Sequence, residues 1–357
     1  MGLFYRAISS LCNASAFTKE VEMLFSPIDP NFLGGAINPA LHIPDGFLSL
    51  TISIIFWVLS IGLITMAVRR TKGELGERQV PLMGIMAAFI FAGQMINFPV
   101  AGGTSGHFLG GALAGIVLGP WAGILVMTAV IGLQALLFQD GGLLVMGANI
   151  FNMGLVTALI GYGFYRSVAG QSRGVRLAVA GVAAWLSVMA GAFFTAGQLW
   201  LSGTSPLAIV MPAMLGVHAV IGIGEALITV AALAFISQVR PDLMGAEAVK
   251  SRGGFGWVVG GLAIALLVVL ISPWASANPD GLERVAEDLG FIGQGADAPY
   301  ELLSDYTIPL LGETGPSTII AGIIGALVAA VLVVGLARFL RRAAVSTSEH
   351  SPAPGTQ

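Results

Sequence analysis

Apolar runs long enough to cross a bilayer recur from one end of this 357-residue chain to the other. They fall at about 46–68, 79–98, 107–138, 148–166, 174–202, 205–239, 256–271 and 317–340. A hydrocarbon core about 30 Å thick takes about 20 apolar residues of helix, and backbone groups inside it must be satisfied within the segment. The pattern therefore predicts an all-α polytopic membrane protein. Composition agrees, with 56% hydrophobic and 10% charged residues and a mean hydropathy of +0.88. Among the 357 residues are 49 glycines, small enough to let membrane helices approach closely. A net charge of −3 with no basic stripe argues against nucleic acid. The single cysteine, Cys12, excludes an internal disulfide and a cysteine-built metal site.

The run at 107–138 is too long for one crossing and is interrupted by "LGPWAG" around Pro120, which predicts two short helices joined by a tight turn. The run at 205–239 is read as one extended or kinked helix. The total is nine crossings, about seven in a core and two at the C-terminus. Their ends differ in charge. One side carries Arg69, Arg70, Lys72, Arg78, Arg166, Arg173, Arg176, Arg240, Lys250, Arg252, Arg338, Arg341 and Arg342. The other holds Asp140 and an acidic loop at 273–316. The excess of Lys and Arg marks the cytoplasmic side. Residues 41–45 and the loop at 99–106 are then external and the C-terminus internal, in a multi-pass protein of the inner or plasma membrane. The polar stretch 343–357 reads as a disordered tail. The glycine-rich "AGGTSGHFLGG" at 101–111 lacks the Lys-Ser/Thr ending of a phosphate loop and follows no strand. It reads as a membrane loop entering a helix, with Gly106, Gly110 and Gly111 packed against neighbours, and no ATPase is encoded in this chain.

Four histidines stand out against so apolar a background. His42, in "NPALHIPDGFLSL", and His107 both belong to the external side. Ionisable groups at membrane depth are costly and mark function, and imidazole suits borderline metals. Asp45 either complements a helix N-terminus or accepts from His42 and orients it. His218 and Glu225, two helical turns apart, are either a relay or a packing pair. Gln94, Asn97, Asn149 and Asn152 lie near external helix ends, where they line a pocket or bridge helices.

At this point the residues resemble a known family. "HIPDGFLS", "AAFIFAGQMINFPVAGGTSGHFLGGALAGIVLGPWAGILVMTAVIGLQALLFQDGGLLVMGANIFNMG" and "HAVIGIGEALIT" are similar to the CbiM/NikM proteins. Those are the substrate-binding membrane subunits of energy-coupling-factor cobalt and nickel importers. "SPWASANPDGLERVAEDLGF" followed by "DYTIPLLGETGPSTIIAGIIGALV" looks like the PDGLE-type domain, which resembles the CbiN/NikN accessory subunit. The resemblance implies a metal-binding core at 41–240, a cytoplasmic linker at 241–255 and a fused accessory domain at 256–342. It implies a transporter subunit without enzymatic activity or resident cofactor, with Co²⁺ or Ni²⁺ as cargo. The implied partners are a transmembrane coupling subunit and cytoplasmic ATPase subunits. It further implies metal held by the terminal amine at position 41, the backbone nitrogen and ring of His42, and His107. From the residues themselves, Asp45, Asn97, His218 and Glu225 are candidates to support that shell or to form a relay. The competing reading is an ion-coupled metal permease using His218 and Glu225.

The family begins Met-His-Ile-Pro-Asp-Gly, whereas this chain has Leu41 where that methionine stands and forty residues before it. Residues 1–40 read as a non-native extension or a leader. A UUG or CUG start codon gives Leu when read internally and Met when it initiates. A leader cleaved after "NPA" and a genuine extension with altered coordination are the other two readings. Nickel and cobalt accept the same nitrogens, and the sequence does not choose between them.

Overall fold

A computed structural model describes residues 42–72, 75–240, 256–296, 298 and 300–349. Position 41, the segment before it, the 241–255 linker and the residues after 349 lie outside this range. The chain enters as a short strap, residues 42–45, and turns into α1 (Leu50–Lys72). This helix is built inside out. Leu50, Ile54, Val58 and Ile61 are exposed, while Ser53, Ser60 and Thr71 are buried. Apolar side chains facing outward have lipid as their only favourable solvent, and the Ser60 hydroxyl is satisfied inward by the carbonyl of Gly147 at 2.7 Å.

The next helix, α2 (Gln79–Gln94), is apolar all round and central, with Met83, Ala87, Ala88, Ile90 and Phe91 fully enclosed. Then comes an antiparallel hairpin, β1 (Asn97–Val100) and β2 (Thr104–His107), in a register that pairs Asn97 with His107. The loop expected at 99–106 is thus a hairpin, its three-residue turn carrying Gly102 and Gly103 at φ of 79° and 69°. Two short helices follow, α3 (Gly111–Leu118) and α4 (Pro120–Leu133), separated at Gly119 as expected; α4 runs on as a π-helical turn, Gln134–Phe138.

The chain continues through α5 (Met146–Asn149), a π-helical stretch Ile150–Val156 and α6 (Thr157–Ser167). Gly111, Gly115 and Gly161 lie where any side chain would strike the facing backbone or Thr157, which lets α3 and α6 touch closely. The long helices α7 (Arg173–Leu201) and α8 (Leu207–Val239) pack along each other, and α8 is one unbroken helix despite Pro212. Finally α9 (Gly256–Ile271) and α11 (Gly315–Glu349) pack against α2. This last helix runs beyond residue 343, where the tail was expected to begin. Between α9 and α11 the chain forms a folded cap that includes α10 (Gly281–Asp288). Among the described residues six helices are long and apolar enough to span a membrane, and this is a multi-pass membrane protein.

Two apolar clusters organise the molecule. The larger one centres on α2, α4 and α11. A second joins Ile43, Phe47 and Leu48 of the strap region to Ala196 and Leu199 of α7, Met214 of α8, and Leu282, Val285 and Phe291 of the cap. The cap therefore closes over the strap, with Phe47 edge-on to Phe291 at 5.1 Å.

Candidate metal site

The strap is clasped by the segment 139–149. Ile43 donates its N–H to Asn149 Oδ1 at 3.1 Å and accepts from Asn149 Nδ2 at 3.0 Å. Gly142 donates to the Ile43 carbonyl at 2.9 Å. Gly141 stands at φ 99°, and a Cβ there would lie 2.8 Å from His42 Cβ, so backbone and space both require glycine. Asp45 accepts three backbone N–H groups, from Leu143, Leu144 and Val145, at 3.0, 2.9 and 3.1 Å. It thus anchors the entry to α5, a helix a hundred residues away, and does not orient His42.

Asp140 orients His42. Nδ1 of His42 lies 2.8 Å from Asp140 Oδ1 and 2.9 Å from the Asp140 carbonyl. The ring is buried, and its Nε2 has no hydrogen-bond partner among the described residues. His107, at the end of β2 and also buried, presents its ring edge-on to His42, with centroids 5.6 Å apart. Its Nδ1 lies 3.3 Å from the Phe108 carbonyl. A second set of bonds ties the hairpin to the cap, since Ser105 donates its N–H to Pro279 and its hydroxyl to Asn278, both at 2.8 Å.

The electrostatics follow from burial and contact. Burial favours neutral His42, but the Asp140 carboxylate on Nδ1 outweighs it and the pKa is raised above 6.5. Burial pushes Asp140 the other way; His42, the Tyr306 hydroxyl and His107 together hold it below its ordinary value. Asp280 and Glu283 cap α10 reciprocally, Asp280 donating its N–H to Glu283 Oε2 at 2.9 Å and accepting that of Glu283 at 2.7 Å. Burial raises both carboxyls above their ordinary values, and the neighbouring Asp280 raises Glu283 further.

The remaining candidates divide. Glu225 accepts from the N–H groups of Leu109 at 2.7 Å and Gly110 at 3.0 Å, which fixes the chain just after His107. His218 Nδ1 lies 2.8 Å from the Met214 carbonyl of its own helix. Seven residues of α8 separate the two by about 10 Å of rise, too far for a hydrogen-bonded relay pair. Asn97 is paired with His107 across the hairpin, and its carbonyl accepts from the Ser276 N–H at 2.8 Å. Asn152 bridges helices, exchanging hydrogen bonds with Gln198 at 2.8 and 2.9 Å. Gln94 donates to the Leu109 carbonyl at 2.7 Å. The roles of Asp140 and Tyr306 were missed. The available signal was that Asp140 is the only Asp, Glu, Lys or Arg between Arg78 and Arg166.

Among the described residues no group of three or more His, Cys, Asp or Glu side chains is disposed to hold a metal by itself. Two imidazoles converge, and further donors would have to come from backbone or solvent. Position 41 lies outside the described residues.

Residues 42–243 match the family model described as the cobalt uptake substrate-specific transmembrane region, and 255–342 match the PDGLE domain. The chain belongs to this cobalt-uptake family. A protein of Archaeoglobus fulgidus named for fused nickel transport (NikMN) is 37% identical over 309 residues, covering 85% of this chain and 100% of that one. The cobalt transport protein CbiM of Sorangium cellulosum is 32% identical over 214 residues, covering 57% and 94%. Among solved structures, a transition metal transporter crystal structure is similar at 33% identity and TM-score 0.50, covering 56% of this chain and 93% of that one. The fused Archaeoglobus protein thus matches this chain over most of its length.

Proposed function

We propose that the chain captures Co²⁺ or Ni²⁺ from the external side and releases it inward. In this reading a separate transmembrane coupling subunit and paired cytoplasmic ATPases drive the release. The observation that carries it is the convergence of two buried imidazoles, His42 and His107, with Nε2 of His42 left open. Nitrogen donors suit borderline divalent ions and offer nothing to a hard-oxygen cation such as Mg²⁺. The orientation is supported by the basic helix ends. Arg69, Arg70 and Lys72 close α1 and Arg166 closes α6, both away from the strap.

The ring nitrogens of His42 and His107 are the side-chain donors. A chelate closed from His42's own backbone nitrogen would run through Nδ1, the near ring atom, which Asp140 holds here. In that chelate, with the backbone nitrogen and ring of His42 as donors, the ring would exchange Asp140 for the ion. The amine of a chain starting at position 41 is proposed as a further donor. His42 and His107 sit at the external ends of their elements, so cargo reaches them without crossing the bilayer.

Reconstitution in liposomes with the coupling and ATPase subunits tests the function. Uptake of radioactive nickel or cobalt should require ATP and all partners, and should vanish in His107→Ala. Uptake by this chain alone, driven by a proton gradient, would instead establish the permease.

A further inference from the structure

A cavity of about 710 Å³ opens between α2, α9 and α11. It lies at the start of α2, whose 16 residues, about 24 Å of helix, separate it from the hairpin that carries His107. α2 forms its floor, because α9 and α11 each pack along α2 more than along each other. The walls are apolar, with Pro81 and Ile85 from α2, Val258 and Leu262 from α9, and Val334 from α11. Outside them Val259 of α9 and Val331 of α11 are exposed, as lipid-facing residues are.

Four arginines converge on this cavity from stretches far apart in sequence. Arg78 stands ahead of α2, Arg240 at the end of α8, and Arg338 and Arg341 on α11. Among the described residues the lining holds one carboxylate, Glu77, which meets Arg341 at 2.8 Å. Arg240 is only 8% exposed, and its guanidinium lies 4.4 Å from the centre of the Trp257 ring. Basic residues gather at this end of a membrane bundle as a rule, and most reach out into water. Arg69, Arg70 and Arg166 are exposed in that way. The cavity differs in bringing four guanidinium groups to one concavity with hydrocarbon walls.

Such a lining suits a molecule with an anionic, oxygen-rich head and an apolar body. Guanidinium groups grip phosphate oxygens through paired N–H donors. A free phosphate would leave the walls unused, and a zwitterionic or neutral lipid carries no net charge to match the arginines. Trp257 stands where an amphipathic ring is favoured, at the boundary of hydrocarbon and headgroup.

We propose that this cavity binds an anionic phospholipid, its phosphate among the four arginines and an acyl chain along α2 between α9 and α11. The lipid joins the two PDGLE-domain helices to the core, and the site is independent of how the ion is held.

The test is native mass spectrometry of the full-length chain in detergent, titrated with phosphatidylglycerol and with phosphatidylcholine. One phosphatidylglycerol should be retained about ten-fold or more tightly than phosphatidylcholine, and it alone should raise the thermal transition. Arg240→Gln combined with Arg338→Gln should weaken that lipid about ten-fold or more. Val258→Trp, which fills the cavity without changing charge, should do the same. Arg69→Gln combined with Arg70→Gln, at the same end but off the cavity, should leave it unchanged. Equal retention of the two lipids by the wild type overturns the proposal whatever the variants do, and so does an equal loss in the Arg69 and Arg70 variant. Inorganic phosphate that stabilises the wild type as well as phosphatidylglycerol does would overturn it in favour of a soluble anion. Full lipid retention in the Arg240 and Arg338 variant, with assembly onto the coupling subunit lost, would make this face a protein contact instead.

Discussion

At the scale of single residues, the proposed site sets a proton against a metal for His42. The pKa of His42 is raised, so its pairing with Asp140 contributes fully to docking the strap below 6.5 and is lost as pH rises through the folded value. Asp140 is lowered, so its contribution is present above 3.8 and is lost as pH falls through its folded value. The metal-free strap is therefore held best between pH 3.8 and 6.5 and loosens as pH passes either folded value. Metal binding runs the opposite way at its upper end, because the ion needs a neutral ring. Co²⁺ affinity should keep climbing above pH 6.5 when titrated between about pH 6 and 8.5. A plateau already reached below 6.5 would show that His42 is not the competing group. Asp140 itself shows why sequence reading stopped short. A lone acid in an uncharged stretch is visible, but its partners are 98 residues before it and 166 after it in the chain.

Among the elements, the strap, the 139–149 clasp and the β1–β2 hairpin hold the two rings in place. Asp45 is the main fastener of the strap. Asp45→Ala would leave three donors at the head of α5 without their carboxylate, a cost of about 2–3 kcal/mol by the usual scale for charge-assisted bonds. The expected result is a lower thermal transition together with weaker metal binding; a shift in neither would mean the anchor is dispensable. Gly141→Ala should behave differently. Its Cβ would press on His42, so metal affinity should fall while the distant α2, α4 and α11 core keeps its stability, read as separate changes in binding and thermal unfolding. The membrane helices and the break at Gly119 were legible because apolar length and a Gly-Pro pair are local signals. The hairpin was not, since "PVAGGTSGH" has no alternating apolar pattern and is paired largely by its backbone. Asp45 was recognised as a helix-capping residue but assigned to the wrong helix, because nothing local shows that α5 begins beside it.

Across the whole molecule, two domains meet over one site. The core supplies both histidines and Asp140, and the cap contributes Tyr306 and covers the strap with α10 and Phe291. Glu225 and His218, the residues a proton-coupled permease would need, are each occupied by backbone groups, Glu225 by the N–H groups of Leu109 and Gly110 and His218 by the Met214 carbonyl of its own helix. Glu225→Gln should accordingly loosen the chain after His107 and lower metal affinity. It should not alter any dependence of liposomal uptake on a proton gradient; a lost gradient response would revive the relay. The family and both of its parts were readable from long ordered motifs, whereas the cap's fold and its hold on the site depend on contacts that no motif announces.

In the proposed binding state one Co²⁺ or Ni²⁺ ion sits between His42 and His107. Its most direct test is an equilibrium titration of the purified full-length chain, wild type beside His42→Ala and His107→Ala. One ion per chain is expected for the wild type, with high-affinity binding lost in each variant and all three unfolding at similar temperatures. Wild-type affinity in either folded variant would contradict it.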